Sequence, residues 1–99
     1  MEYVNHPQHY LRPGRKECIE EIHDLYGDEI LAIFCYTNAY KYLYRAGEKA
    51  NNSKEQDLNK AMWYINYAKT HVPRTAFTGA IRMLRYNVEA QMEAMYDKD

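Results

Sequence analysis

Ninety-nine residues with 13 Lys and Arg against 14 Asp and Glu carry a formal charge of −1, which excludes the broad positive footprint of a duplex nucleic-acid binder. One domain with a modest core is all that this length allows, and 11 tyrosines dominate its apolar fraction of 46 %, favouring surfaces that are half wet or covered by a partner. No stretch is long enough to span a bilayer and no apolar leader follows Met1, so no membrane partner is expected.

Residues 1–15 hold Pro7, Pro13 and Gly14 and therefore read as an extended N-terminal arm; residues 16–99 read as helices. From Lys16, the spacing of Cys18, Ile19, Ile22 and Leu25 predicts an amphipathic helix ended by Gly27, with Glu17, Glu20, Glu21 and Asp24 on its polar side. Asp28 caps a second helix from about Glu29 to Ala46, burying Ala32, Cys35, Tyr36, Ala39, Leu43 and Ala46, and Gly47 stops it. Alanines at every seventh position admit a close neighbour, from this chain or another subunit. The run Ser53-Lys-Glu-Gln56 is a capping box opening a third helix that buries Leu58, Ala61, Met62, Ile65 and Ala68, with Asp57, Lys60, Tyr64 and Tyr67 flanking that stripe. Val72-Pro73 breaks it. A fourth helix starts near Arg74 or Thr75 and runs to about Tyr96, with Phe77, Ile81, Leu84, Val88, Met92 and Met95 inward and Arg82 and Arg85 away from them. The expected class is all-α, a compact bundle of about four helices in one domain over 1–99. It is expected to be homo-oligomeric, since a second copy supplies buried area that one short chain lacks.

Little in the chain suggests catalysis. Four glycines and the absence of G-x-x-x-x-G-K-[ST] exclude a P-loop kinase. The acidic group of the first helix has no second cluster to share a divalent ion with, and reads as a solvated face. His6, His9, His23 and His71 lack metal-ligand spacing, and Cys18 and Cys35 lack a C-x-x-C, so no metal, disulfide framework or cofactor is expected. Asp57 and Lys60, three apart, have the spacing of a surface ion pair; in a functional reading Asp57 orients a cation of the preceding helix. Trp63 and the tyrosines around it read as packing sooner than as a platform for a base.

Binding is better supported. Asn38, Lys41, Tyr42 and Arg45 fall at offsets 0, 3, 4 and 7, which puts an amide, two cations and a phenol on one helical face. Such a face serves a phosphate and a base, or is simply a solvated surface of snorkelling side chains. The arm segment N-H-P-Q-H-Y adds His6 or His9 as donors to phosphate and Tyr10 as a stacking ring.

Three segments, V-N-H-P-Q-H-Y at Val4–Tyr10, N-A-Y-K-Y-L-Y-R-A-G-E-K at Asn38–Lys49 and D-L-N-K-A-M-W-Y-I at Asp57–Ile65, together resemble a small phage-borne family named in some genomes after a nucleotide kinase of T7-like podoviruses. The likeness covers roughly residues 4–68 and leaves 74–99 unmatched. It implies nucleotide binding, with matches at His6, Pro7, His9, Tyr10, Asn38, Lys41, Tyr42, Arg45, Gly47, Lys49, Asp57, Lys60 and Tyr64.

The leading expectation is a phage protein in the host cytoplasm that sequesters a small, cyclic or modified nucleotide signal and so blunts a defence pathway. In it, Lys41, Arg45 and Lys49 contact phosphates, Tyr10 and Tyr42 stack on bases, Asn38 reads an edge, and Asp57 holds a basic residue. Sites at or near subunit interfaces of a dimer or tetramer are expected. The alternatives are a deoxynucleoside monophosphate kinase and a Tyr-faced module that binds a host protein.

Overall fold

In the computed structural model residues 16–48 and 53–97 are described. The arm expected over 1–15, with His6, His9 and Tyr10, lies outside the described residues, as does Lys49. All described secondary structure is helical: α1, Cys18–Arg45; α2, Lys54–His71; a 3-10 turn, Arg74–Ala76; and α3, Gly79–Asp97.

Three α-helices therefore stand where four were expected, because the first two are joined. Gly27 has φ 91° and ψ −176°, a region reached at low cost only without a Cβ, so the helical path does break there. Asp28 resumes the helix at once, and its Oδ1 lies 2.6 Å from His23 Nε2 on the other side of the break. The expected terminus is thus a kink within one long element.

Beyond the kink, the inward stripe is as the spacing predicts: Ala32, Cys35, Tyr36, Ala39, Leu43 and Ala46 are all buried, together with Leu31, which the stripe omitted. Before the kink only one edge of the stripe meets the core. Ile19 is buried and Ile22 half-buried, whereas Cys18 and Leu25, expected on the same side, are exposed. The alanines at 32, 39 and 46 are enclosed within this chain, so the neighbour they admit is one of its own helices.

The start of α2 follows its capping box. The Gln56 N–H donates to Ser53 Oγ at 3.0 Å and the Ser53 N–H donates to Gln56 Oε1 at 3.4 Å. Leu58, Ala61, Ile65 and Ala68 are buried, Met62 is half-buried, and the helix gives way at Val72, whose N–H donates to the Ala68 carbonyl at 2.8 Å.

The last helix begins later than expected. Residues 74–76 form their own 3-10 turn, Gly79 takes φ 53°, and the Ile81 and Arg82 N–H groups donate to the Thr78 carbonyl at 3.1 and 3.3 Å. Positive φ at Gly79 turns the chain between the two pieces, so Gly79 opens α3 rather than weakening its interior. Phe77, Val88 and Met92 are buried; Ile81, Leu84 and Met95 are half-buried against them.

Both α2 and α3 pack mainly on α1 and touch each other little, which makes α1 the spine of the molecule. Leu31 and Val88 are among its largest fully enclosed side chains, each worth about 1.5–3 kcal/mol by burial. Among the described residues no helix is long and apolar enough to cross a membrane.

Candidate functional site

The last turns of α1 and the first turns of α2 bring the candidate residues together. Asp57 is fully buried, which its expected place at the edge of the α2 stripe did not foresee. Its partner is Arg45 of α1, with Nε 3.5 Å from Asp57 Oδ1, and not Lys60 three residues along the same helix. Among the described residues neither Asp57 oxygen accepts a hydrogen bond, so the attraction to the partly exposed Arg45 is chiefly that of two charges, one of them enclosed. A buried carboxylate of this kind tethers its cation strongly, because separation would leave the negative charge in a medium that solvates it badly.

Around Arg45 the other cations gather on one ring. Lys41 Nζ, Arg45 Cζ and Lys60 Nζ lie 4.8, 5.3 and 5.4 Å from the centroid of Tyr42, all within reach of its negative π-face. Tyr64 lies nearly parallel to that ring, with centroids 6.1 Å apart and an interplanar angle of 16°. Phe34 and Trp63 meet Tyr64 edge-on, at 6.1 and 5.1 Å. Offsets of three, four and seven on both helices produce this convergence: residues 38, 41, 42 and 45 share one face of α1, while 57, 60 and 64 share one face of α2.

Asn38 has a more local role. Its Nδ2 donates to the Phe34 carbonyl at 2.8 Å, which engages the amide nitrogen within α1. Trp63 is packing, as its surroundings in the sequence suggest: it stacks on Tyr67 at 5.3 Å, and Tyr67 in turn stacks on His71 at 4.0 Å. Burial, followed by the charge of Glu20, raises the Tyr67 phenol above its ordinary range, which suits a packed ring rather than an acid–base group. Among the described residues no three His, Cys, Asp or Glu side chains stand together as a metal site.

A family model described as a protein of unknown function, DUF3310, matches residues 4–66. The chain belongs to the DUF3310 family. No curated protein and no solved structure matches it. The DUF3310 segment contains all of α1 and most of α2, and hence the whole Tyr42 cluster; the 3-10 turn and α3 lie beyond it.

One polar cluster escaped the sequence reading. Tyr36 is fully buried, and its hydroxyl donates to Glu89 Oε2 at 2.7 Å. The same oxygen accepts from Arg85 Nε at 3.2 Å, and the Arg85 guanidinium lies 4.4 Å from the Phe77 ring centroid. Burial first, and then Glu89, push the Tyr36 phenol well above its ordinary range, so it remains a hydrogen-bond donor throughout the physiological range. The spacing of Arg85 and Glu89, i and i+4, was the available signal. What it could not show was a tyrosine 53 residues earlier meeting them.

Proposed function

We propose that this protein binds a small nucleotide and sequesters it without turnover. The observation that carries the reading is the gathering of Lys41, Arg45 and Lys60 about Tyr42, with Arg45 held against the buried Asp57. An arginine held by a buried carboxylate before a ligand arrives loses little entropy on meeting phosphate, and its guanidinium is a planar fork matched to phosphate oxygens. In this reading Lys41, Arg45 and Lys60 meet the phosphates, Tyr42 and Tyr64 form the aromatic floor, and Asn38 offers its remaining amide oxygen to a base edge. His6, His9 and Tyr10 join it on the donor and stacking chemistry of the arm together with the motif resemblance, and Lys49 on that resemblance.

That resemblance, to a phage family named after a nucleotide kinase, supports a nucleotide over other phosphorylated ligands; action in the host cytoplasm against a nucleotide alarm signal rests on analogy with compact, Tyr-rich helical phage proteins that sequester such signals. Holding is favoured over transfer because the cluster supplies charge and rings, with its carboxylate buried behind the cations rather than beside a reacting group. The proposed assembly is a homo-oligomer with the site near its interfaces.

Thermal stabilisation by a panel of linear and cyclic mono- and dinucleotides provides the test, followed by analysis of the ligand after denaturation. The expected result is a rise in Tm with at least one of them, intact ligand on release, and loss of the effect in Lys41→Ala/Lys60→Ala. Indifference to the whole panel would sink the proposal; diphosphates formed from deoxynucleoside monophosphates, ATP and magnesium would replace holding by kinase activity.

A further inference from the structure

The 3-10 turn and the first half of α3 carry a second concentration of positive charge, outside the family-matched segment and remote in sequence from the Tyr42 cluster. Arg74, Arg82 and Arg85 line a groove of about 430 Å³ with Phe77, Tyr86 and Glu89. Three guanidiniums and one carboxylate leave this groove with an excess of positive charge. Arg74 and Arg82 are exposed and have no ion-pair partner among the described residues.

Arg85 differs from its neighbours in being built into place. Its Nε is held by Glu89 Oε2, that oxygen is held by the hydroxyl of the fully buried Tyr36, and its guanidinium rests on the buried Phe77. The chain from core to groove is therefore Tyr36, Glu89, Arg85, with Phe77 beneath. A surface arginine with only a solvation role needs no such anchoring, whereas one that must present its terminal nitrogens to a ligand benefits from it, because the guanidinium plane is set before binding. Tyr86 is 77 % exposed at the same groove and offers a ring face to a flat ligand.

We infer that this groove is a second binding site, for a phosphate-bearing small molecule with an aromatic ring, such as a nucleoside diphosphate. Arg85 forms the fixed contact to phosphate, Arg74 and Arg82 close on it from the exposed side, and Tyr86 stacks on the ring. Polyanions with no ring should bind as well, but without help from Tyr86.

Pyrophosphate and adenosine diphosphate titrated into ¹⁵N-labelled full-length protein at low ionic strength separate this site from the Tyr42 cluster, since amide shifts at 74–89 and at 41–64 report independently. Saturable shifts at Arg82, Arg85 and Tyr86 are expected with both ligands. Arg74→Gln/Arg82→Gln, which alters only exposed side chains, should weaken that binding at least tenfold. Tyr86→Ala should weaken adenosine diphosphate severalfold and leave pyrophosphate unchanged. The control Lys16→Gln/Lys54→Gln removes the same charge away from the groove and its neighbouring cavity and should have no effect. Shifts at 74–89 that never saturate, or an equal loss in the control, overturn the site whatever happens at 41–64; a Tyr86→Ala that binds both ligands normally overturns the aromatic part of the assignment.

Discussion

Of the individual side-chain contacts, most depends on that between Arg45 and Asp57. Arg45→Ala leaves the Asp57 carboxylate buried without its cation, a change that costs up to about 3–5 kcal/mol in comparable pairs. Urea unfolding should show a loss toward that size, and Asp57→Asn added to Arg45→Ala should recover most of it. Nucleotide binding should stay lost in the double variant, which distinguishes Arg45 as a ligand contact from Arg45 as a structural counter-ion. The two cysteines make a second residue-scale contrast. Burial pushes the Cys35 thiol up to about 12, while Cys18 is exposed, so alkylation of the native protein at pH 8 should modify Cys18 and spare Cys35. For stability the sign follows from the raised folded value. Below the unfolded thiol pKa, about 8.5, both states hold the proton and nothing changes; above it the unfolded chain releases the proton first, so stability falls up to about pH 12. Cys35→Ala should flatten that alkaline decline in unfolding measured across the same window.

Among elements, α1 decides the architecture, and its behaviour turns on Gly27. A Cβ at that position would meet nothing within 4 Å, so the obstacle to substitution is backbone conformation and not space. Gly27→Ala should therefore destabilise by about 1–3 kcal/mol in thermal or urea unfolding, with helical circular dichroism retained. An unchanged stability would mean that the kink relaxes into a straight helix at no cost. That glycine, the Ser53 capping box and the 35, 36, 39, 43 stripe were legible in the sequence because each depends on neighbours within a turn or two. The burial of Asp57 was not legible, since position 57 borders the α2 stripe and only the approach of α1 encloses it. The late start of α3 was hidden for a related reason: residues 74–76 satisfy a helical pattern, and the positive φ at Gly79 that separates them from α3 leaves no periodic trace.

At the scale of the whole molecule, the outer side of α1 bears on the proposed assembly. Ile30, Ile33, Thr37, Tyr40 and Tyr44 alternate in steps of three and four along it, and Ile30, Ile33, Tyr40 and Tyr44 are 45 %, 38 %, 44 % and 78 % exposed. The Thr37 hydroxyl donates to the Ile33 carbonyl at 2.6 Å, so its polar atom is satisfied within the helix. A seam of this period, without a charge in it, suits a second helix of the same kind. Light scattering should give a mass above that of one chain for the natural protein, and a single-chain mass for Ile33→Glu/Tyr40→Glu with unchanged helicity. A natural protein that is already monomeric would remove the oligomer from the proposal.

Local pattern was enough to show that the described residues are mainly helical, where α2 begins and ends, which face of α1 after Gly27 is buried, and that Asn38, Lys41, Tyr42 and Arg45 lie along one line. Those are consequences of local periodicity and capping, which act over a few residues. It took the approach of the helices to one another for Asp57 to answer Arg45 rather than Lys60, for Tyr64 to close on Tyr42, and for Tyr36 to reach Glu89 and thereby hold Arg85. Each of these joins residues on different helices, and which side chain is enclosed depends on how closely those helices approach.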